Sequence, residues 1–145
     1  MNILRFLVPK SSVEYISSDA TIRQAYEKMR YHSYVAIPVL DDDGTYVGTL
    51  RKDDIYKYFL DKGEIDFRMA EKEGIKQLLD IESSRPLYHN SEIKDMMDGL
   101  LEHNFVSIVD DRGCFIGIVL RRDVLNFLFD QYRKCPKTPE NTANI

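Results

Sequence analysis

The sequence is poor in cysteine: Cys114 and Cys135 are the only two in 145 residues. One lies in an expected strand and the other in the tail, so they build neither a disulfide framework nor a thiol metal site, and the chain fits a reducing, cytoplasmic setting. Long apolar runs are missing as well. No stretch approaches the roughly 20 residues that a bilayer-spanning helix needs, and the apolar segment from Met1 to Val8 ends at Pro9 and Lys10, too early for an export signal. Positive charge is in deficit, with 20 Lys and Arg against 24 Asp and Glu for a net charge of -4. A general nucleic-acid binder needs a basic surface for its phosphate contacts, so that class is excluded, although local basic pairs can still hold a small anion. Four familiar catalytic patterns are absent: the Gly-x-Ser-x-Gly elbow, the Walker phosphate loop, His-Glu-x-x-His and the Rossmann glycine fingerprint. We therefore expect neither an enzyme nor a membrane protein, and no metal site.

What the chain does contain is an internal repeat. Gly48-Thr49-Leu50-Arg51-Lys52-Asp53-Asp54-Ile55 returns as Gly117-Ile118-Val119-Leu120-Arg121-Arg122-Asp123-Val124, each run preceded by an acidic turn and leading into a helical pattern. In the first unit Val13 to Ile16 reads as a strand. Thr21 with Gln24 three residues on forms a capping box, and Ile22, Ala25, Met29 and Ser33 recur at helical spacing. Tyr34 to Leu40 and Tyr46 to Leu50 form a hairpin around Asp41-Asp42-Asp43-Gly44. Pro38 lacks a ladder donor, which predicts an edge or a break. A helix from Asp53 or Asp54 buries Ile55, Tyr58 and Phe59.

The second unit repeats this β-α-β-β-α order: Leu87 to His89, a helix from about Glu92 to His103, Phe105 to Val109, Phe115 to Val119, and a last helix through Tyr132. Ile93 follows Ile22 by 71 residues (93 minus 22), whereas Gly117 follows Gly48 by 69 (117 minus 48). Two residues are therefore missing from the second unit near its hairpin. The expected division is residues 4–62 and 85–134 for the two units, 63–84 for a linker with a short helix, and 135–145 for a flexible tail. The last helix carries two apolar stripes, Val124 with Phe127 and Leu128, and Leu125 with Phe129 and Tyr132. A helix apolar on both sides is buried on both sides, so the second stripe meets either a second copy of the chain or, within the chain, the segment Met1 to Val8 or the linker.

Candidate chemistry collects at the repeated glycine-to-aspartate run. A strand glycine allows close approach by a ligand or another strand, and the aspartate at the helix start either accepts hydroxyl hydrogen bonds from a ribose or caps the helix. Arg51, Lys52, Arg121 and Arg122 stand at the same two helix starts, where charge and helix dipole both favour an anion. His32 and His103 occupy matching helix ends, near a favourable dipole, and His89 follows a strand.

With Ser-Asp-Ala-Thr-Ile before the first helix, Ala36-Ile37-Pro38-Val39 in the hairpin and Gly48 to Asp54 after it, the repeat resembles a CBS domain, and the pair resembles a Bateman module like those of small stand-alone bacterial proteins. The resemblance implies an α+β fold, two β-α-β-β-α repeats packed with pseudo-two-fold symmetry. It implies a non-catalytic regulatory module that binds an adenosine-containing effector (AMP, ADP, ATP, S-adenosylmethionine or cyclic di-AMP) between the repeats, requires no cofactor, pairs as a homodimer and signals to a regulated protein in trans. The family motif places a hydroxyl on phosphate and an aspartate on ribose. Asp54 and Asp123 match the aspartates, but Arg51 and Leu120 stand at the hydroxyl positions, leaving Arg51, Lys52, Arg121 and Arg122 as phosphate candidates. By position the adenine would contact Tyr15 and Ile16 with Ala36, Ile37 and Pro38, or Leu87 and Tyr88 with Val106, Ser107 and Ile108. The alternative is a structural or dimerisation module with degenerate nucleotide sites.

Overall fold

The computed structural model describes residues 1–136, so most of the expected tail, 137–145, lies outside the described residues. The first repeat is built from β2 (Ile16–Ser17), α1 (Ile22–His32), β3 (Ala36–Leu40), β4 (Tyr46–Arg51) and α2 (Lys52–Lys62). The second is built from β5 (Leu87–Tyr88), α4 (Ile93–Glu102), β6 (Phe105–Val109), β7 (Phe115–Leu120) and α5 (Arg121–Lys134). Before them runs β1 (Leu7–Pro9), and between them α3 (Phe67–Lys72) and two 3-10 turns, Ile75–Leu78 and Glu82–Ser84. The fold is thus mixed α and β, with the β-α-β-β-α order present twice.

Local chemistry starts α1 as expected. The Thr21 N–H donates to Gln24 Oε1 at 3.0 Å while the Gln24 N–H donates to Thr21 Oγ1 at 3.1 Å, the reciprocal pair of a capping box. Its face of Ile22, Ala25 and Met29 is buried. Ser33 does not extend that face; it is the residue after the helix, in left-handed backbone with φ 57°. From His32 to Ala36 the first repeat spends three residues, whereas from His103 to Phe105 the second spends one. The two missing residues are lost here, just before the hairpin.

Each hairpin opens a sheet whose central strand is its first. The orders are β2-β3-β4 and β1-β7-β6-β5. Pro38 is therefore on an internal strand and not at an edge; of the two expectations it is the break that is met, as a register irregularity between Val39 and Leu40. The Lys52 N–H donates to the Val35 carbonyl, and the antiparallel alternation that follows turns the Pro38 nitrogen away from β4. On its other side β2 pairs only Ile16 with Val39 and Ser17 with Leu40, so the missing donor falls just outside the ladder.

The linker closes over the first repeat. The Ile22 N–H donates to the Glu73 carbonyl and the Ile75 N–H to the Ala20 carbonyl, burying Ala70 and Ile75 against α1. The segment between the repeats holds α3 at Phe67–Lys72 and the 3-10 turns Ile75–Leu78 and Glu82–Ser84. The N-terminal segment joins the other unit: Leu7 pairs with Val119 and Pro9 with Gly117, Ile3 is buried in the second core, and Phe6 meets Phe127 edge-on. Val124 and Phe127 are covered in this way. Leu125, Leu128, Phe129 and Tyr132 stay exposed.

The repeats meet through their hairpin tips. Gly44 and Gly113 take up φ of 88° and 82° in the turns, where a Cβ would be strained. Beyond them Thr45 and Cys114 form an antiparallel bridge, which corrects the placement of Cys114 within a strand. The Tyr46 N–H donates to the Gly113 carbonyl at 3.1 Å and the Phe115 N–H to the Gly44 carbonyl at 3.0 Å. The Asp43 carboxyl accepts the Thr45 N–H, and Asp110 accepts those of Arg112 and Cys114. Both carboxyls are held below the usual range, in each case chiefly by a backbone N–H, that of Thr45 or of Cys114. Leu40, Tyr46, Val109, Phe115 and Ile118 form the buried cluster between the repeats.

Two expectations test this packing. A Cβ on Gly117 would stand 2.1 Å from the Val8 carbonyl oxygen, whereas one on Gly48 would meet nothing nearer than 3.7 Å. Gly117→Ala should therefore cost roughly 1–3 kcal/mol more than Gly48→Ala in urea unfolding, since overpacking forces β1 off β7. The Tyr58 phenol is pushed up to about 12 by burial first and then by the facing Glu73 carboxylate. Between its ordinary 10.0 and about 12 the unfolded chain has released this proton and the folded chain has not. Stability should thus fall with rising pH across that window, and Tyr58→Phe should flatten the slope of unfolding midpoint against pH.

Candidate functional site

The strand-to-helix corner at Arg51 faces the second repeat across an open cleft of about 300 Å³. Val35, Ala36, Thr49, Arg51, Lys52 and Asp53 line it from the first repeat, Ser84 and Arg85 from the linker, and Glu102 to Ser107 from the second. Its floor is a locked polar network. The Tyr46 hydroxyl donates to the Ser84 carbonyl at 2.7 Å, so the Thr49 hydroxyl must donate to the Tyr46 oxygen, also at 2.7 Å. The Thr49 N–H donates to Ser84 Oγ at 3.2 Å.

One wall carries an unmet hydrogen-bonding group. Ser107, on β6, is only 3% exposed, and its hydroxyl has no protein partner. A buried hydroxyl left unpaired costs about 1–3 kcal/mol, and its neighbours on the wall, Val106 and Phe105, supply none. The matching position in the first repeat, 69 residues earlier (107 minus 38), is Pro38, which has no side-chain donor.

The other end is cationic. Arg51 donates from Nη1 to Ser83 Oγ at 3.4 Å and from Nη2 to the Ser83 carbonyl at 3.2 Å, and Nη2 lies 3.4 Å from His103 Nδ1. Lys52 and Arg85 add positive charge, against Asp53 and Glu102. Guanidinium groups so placed suit a phosphate or carboxylate.

Of the sequence-derived candidates, the fold brings together Arg51, Lys52, Ala36, Val106 and Ser107 on this cleft. Asp54 is turned to an adjoining groove that meets the cleft at Arg51 and His103, and its Oδ2 accepts the Arg51 N–H at 2.8 Å, so it caps α2. Asp123 lies in the first turn of α5, away from the cleft lining. Arg121 donates through Nε to the carbonyls of Leu100 at 2.6 Å and His103 at 3.1 Å, closing the end of α4, and Arg122 is exposed. Ile16, Ile37, Pro38 and Ile108 are buried within the repeats, Leu87 packs beside the second core, and Tyr88 is exposed. Tyr15 stands edge-on to Phe115 under the Lys10 ammonium. His103, Tyr46, Thr49, Ser84 and Arg85 line the cleft without having been singled out for it. His103 left a trace in the sequence as a histidine at a repeated helix end, and Thr49 as a member of the repeated glycine-to-aspartate run.

The pseudo-symmetric counterpart of this cleft is apolar. At the 69-residue offset Tyr46 becomes Phe115, Thr49 becomes Ile118 and Arg51 becomes Leu120. These three pack with Val13 and Phe105 in the central cluster.

Comparison with known proteins agrees with this architecture. Among curated proteins no sequence match was found. Solved structures with the same fold include CbpB of Listeria monocytogenes in complex with c-di-AMP, at 21% identity and a TM-score of 0.81, covering 92% of this chain and 98% of that one. A hypothetical conserved protein of Geobacillus kaustophilus matches at 25% identity and a TM-score of 0.82, covering 90% and 98%. CBSX2 in complex with AMP matches at 20% identity and a TM-score of 0.72, covering 91% and 98%. The sequence pattern of the CBS domain fits residues 7–61 and again 87–130, and the chain belongs to the CBS domain family as a tandem pair of its repeats.

Proposed function

We propose that this chain is a regulatory module that binds one adenosine-containing ligand in the Arg51 cleft and carries out no catalysis. The observation that carries the reading is the pairing, in one cleft, of a buried unpartnered hydroxyl at Ser107 with the cationic corner of Arg51, Lys52 and Arg85. A nucleotide has this polarity: a flat base with hydrogen-bonding edges, and an anion a few ångströms away. The c-di-AMP and AMP held by the structurally similar CbpB and CBSX2 support the same class.

The cleft is walled by both repeats and the linker, so a ligand there stabilises one relative placement of the three. A ligand shifts an equilibrium only by its differential affinity for the two states, and a contact spanning two units supplies that difference. The exposed apolar residues of α2 and α5, Tyr56 and Leu60 with Leu125 and Phe129, are the surface through which a second copy and a regulated protein would read the change. Among the described residues no helix is long and apolar enough to cross a membrane, and a cytoplasmic sensor acting in trans fits the composition.

The apolar counterpart cleft favours a second reading, in which both clefts are structural. The two separate cleanly. Titration calorimetry with AMP, ATP, S-adenosylmethionine and cyclic di-AMP should show saturable binding of at least one with about one site per chain. Arg51→Ala should weaken it by about 1.5–3 kcal/mol, the worth of a charge-assisted hydrogen bond, while Leu120→Ala leaves it unaltered. Millimolar or absent binding of all four would sink the proposal. Asp54→Ala should cost about 1 kcal/mol of stability through lost capping on either reading, and only a ligand reading lets it alter affinity through Arg51.

A further inference from the structure

His103 is the residue through which the cleft meets the adjoining groove. It follows α4, where its N–H donates to the Gly99 carbonyl and its own carbonyl accepts Arg121 Nε. The backbone is thereby fixed and the ring is held over Arg51, with Nδ1 3.4 Å from Nη2. A guanidinium only donates. The contact therefore uses a lone pair on Nδ1, which the imidazole has only when that nitrogen is unprotonated.

Protonating Nδ1 with the cleft empty would set two cations face to face and break this hydrogen bond. With an anion between them, both would donate to it. We propose that His103 is a proton-linked anion contact of the cleft: the imidazole takes up a proton from solvent when the anionic end of the ligand binds, and affinity rises as pH falls through the histidine range. The inference rests on the reading of the cleft as a nucleotide site.

The charges around the ring come from every element packed on it. On the cleft side stand Arg51 at the end of β4, Lys52 and Asp53 at the start of α2, Arg85 from the linker and Glu102 from α4. On the groove side α2 contributes Asp54, Lys57, Asp61 and Lys62, and the linker Asp80. Histidine is the one residue type in this set whose charge ordinarily changes between pH 5 and 8. Among these protein groups, a proton taken up on binding in that range is therefore taken up at His103, and by reciprocity of linkage the proton strengthens binding by the factor that the anion strengthens protonation.

The test is titration calorimetry with AMP on the unsubstituted chain and on His103→Gln, at about pH 8 and about pH 5.5, values that bracket the histidine range. Free AMP carries the same phosphate charge in both titrations, so the difference between the two proteins isolates the effect of the ring on the bound state. The gain in affinity from the higher to the lower pH should exceed that of His103→Gln by about fivefold or more. Buffers of different ionisation enthalpy should reveal proton uptake that the variant lacks. His103→Asn serves if the glutamine variant does not fold, and proton NMR of the three imidazoles in the unsubstituted chain should show one titration midpoint rising on saturation with AMP. Equal pH dependence in chain and variant, or three unmoved midpoints under saturation, overturns the role of His103 and leaves the nucleotide reading standing. No binding of AMP at either pH, with the other three ligands equally inert, overturns both.

Discussion

Two hydrogen bonds between equivalent residues hold the repeats face to face. The Tyr46 N–H reaches the Gly113 carbonyl and the Phe115 N–H reaches the Gly44 carbonyl, which is one bond written twice, because residues 44 and 113, and 46 and 115, are related by the repeat. The contact is an intramolecular version of a two-fold interface, in which a patch meets its own copy. Everything between the repeats depends on this register. The Tyr46 and Phe115 rings stack across the axis with centroids 6.3 Å apart. A shift of one residue would turn alternate side chains of β4 and β7 to the wrong face, emptying the central cluster and breaking the Tyr46 contact with the linker.

A symmetric frame leaves the two corners free to diverge. At one, polar side chains surround the open cleft and bind the linker. At the other, Phe115, Ile118 and Leu120 join the apolar cluster between the repeats. Burial of such side chains is worth roughly 1.5–3 kcal/mol each, whereas open polar surface returns little to stability. The chain thus stabilises the pair at one corner and keeps the other available. Arg121 shows the same division. It matches Lys52, which lines the open cleft, yet its guanidinium is spent on the last carbonyls of α4.

Features written in adjacent residues were legible in advance: the Thr21 and Gln24 capping box, the hairpin turns around Gly44 and Gly113, the repeated strand-to-helix corner, and Arg51 with Lys52 upon it. Each is set by interactions within a few positions, which is the range that residue type and spacing describe. Features made by distant pairing were not. Pro38 reads as an edge residue until the shortness of β2 is known. Met1 to Val8 reads as a loose apolar start until Leu7–Pro9 is seen on β7. Ser84 and Arg85 lie at the junction of the linker and the second unit, far in sequence from the Arg51 corner, and Ser84 is held at the cleft by Tyr46 and Thr49. Asp54 was legible as a residue but ambiguous in role, since a carboxylate three residues into a helix fits a cap and a ribose equally well. Its bond to the Arg51 N–H shows the cap.

The small irregularity in the repeat also accounts for the pairing of Arg51 with His103. In the first repeat α1 runs through His32, and three residues carry the chain to β3, so His32 stays on its helix and stacks on Tyr34 with centroids 5.1 Å apart. In the second repeat one residue, not three, separates the matching histidine from the strand, and the helix stops one residue before that histidine. Helix α4 ends at Glu102, and His103 falls in the two-residue step to β6, in extended backbone with φ -126°. A residue in that step has left the helix, and its ring meets Arg51 of the other repeat. Matching histidines therefore come to opposite uses for a reason of chain length alone: the longer connection leaves one on the outside of its helix, and the shorter one draws the other onto the cationic corner across the interface.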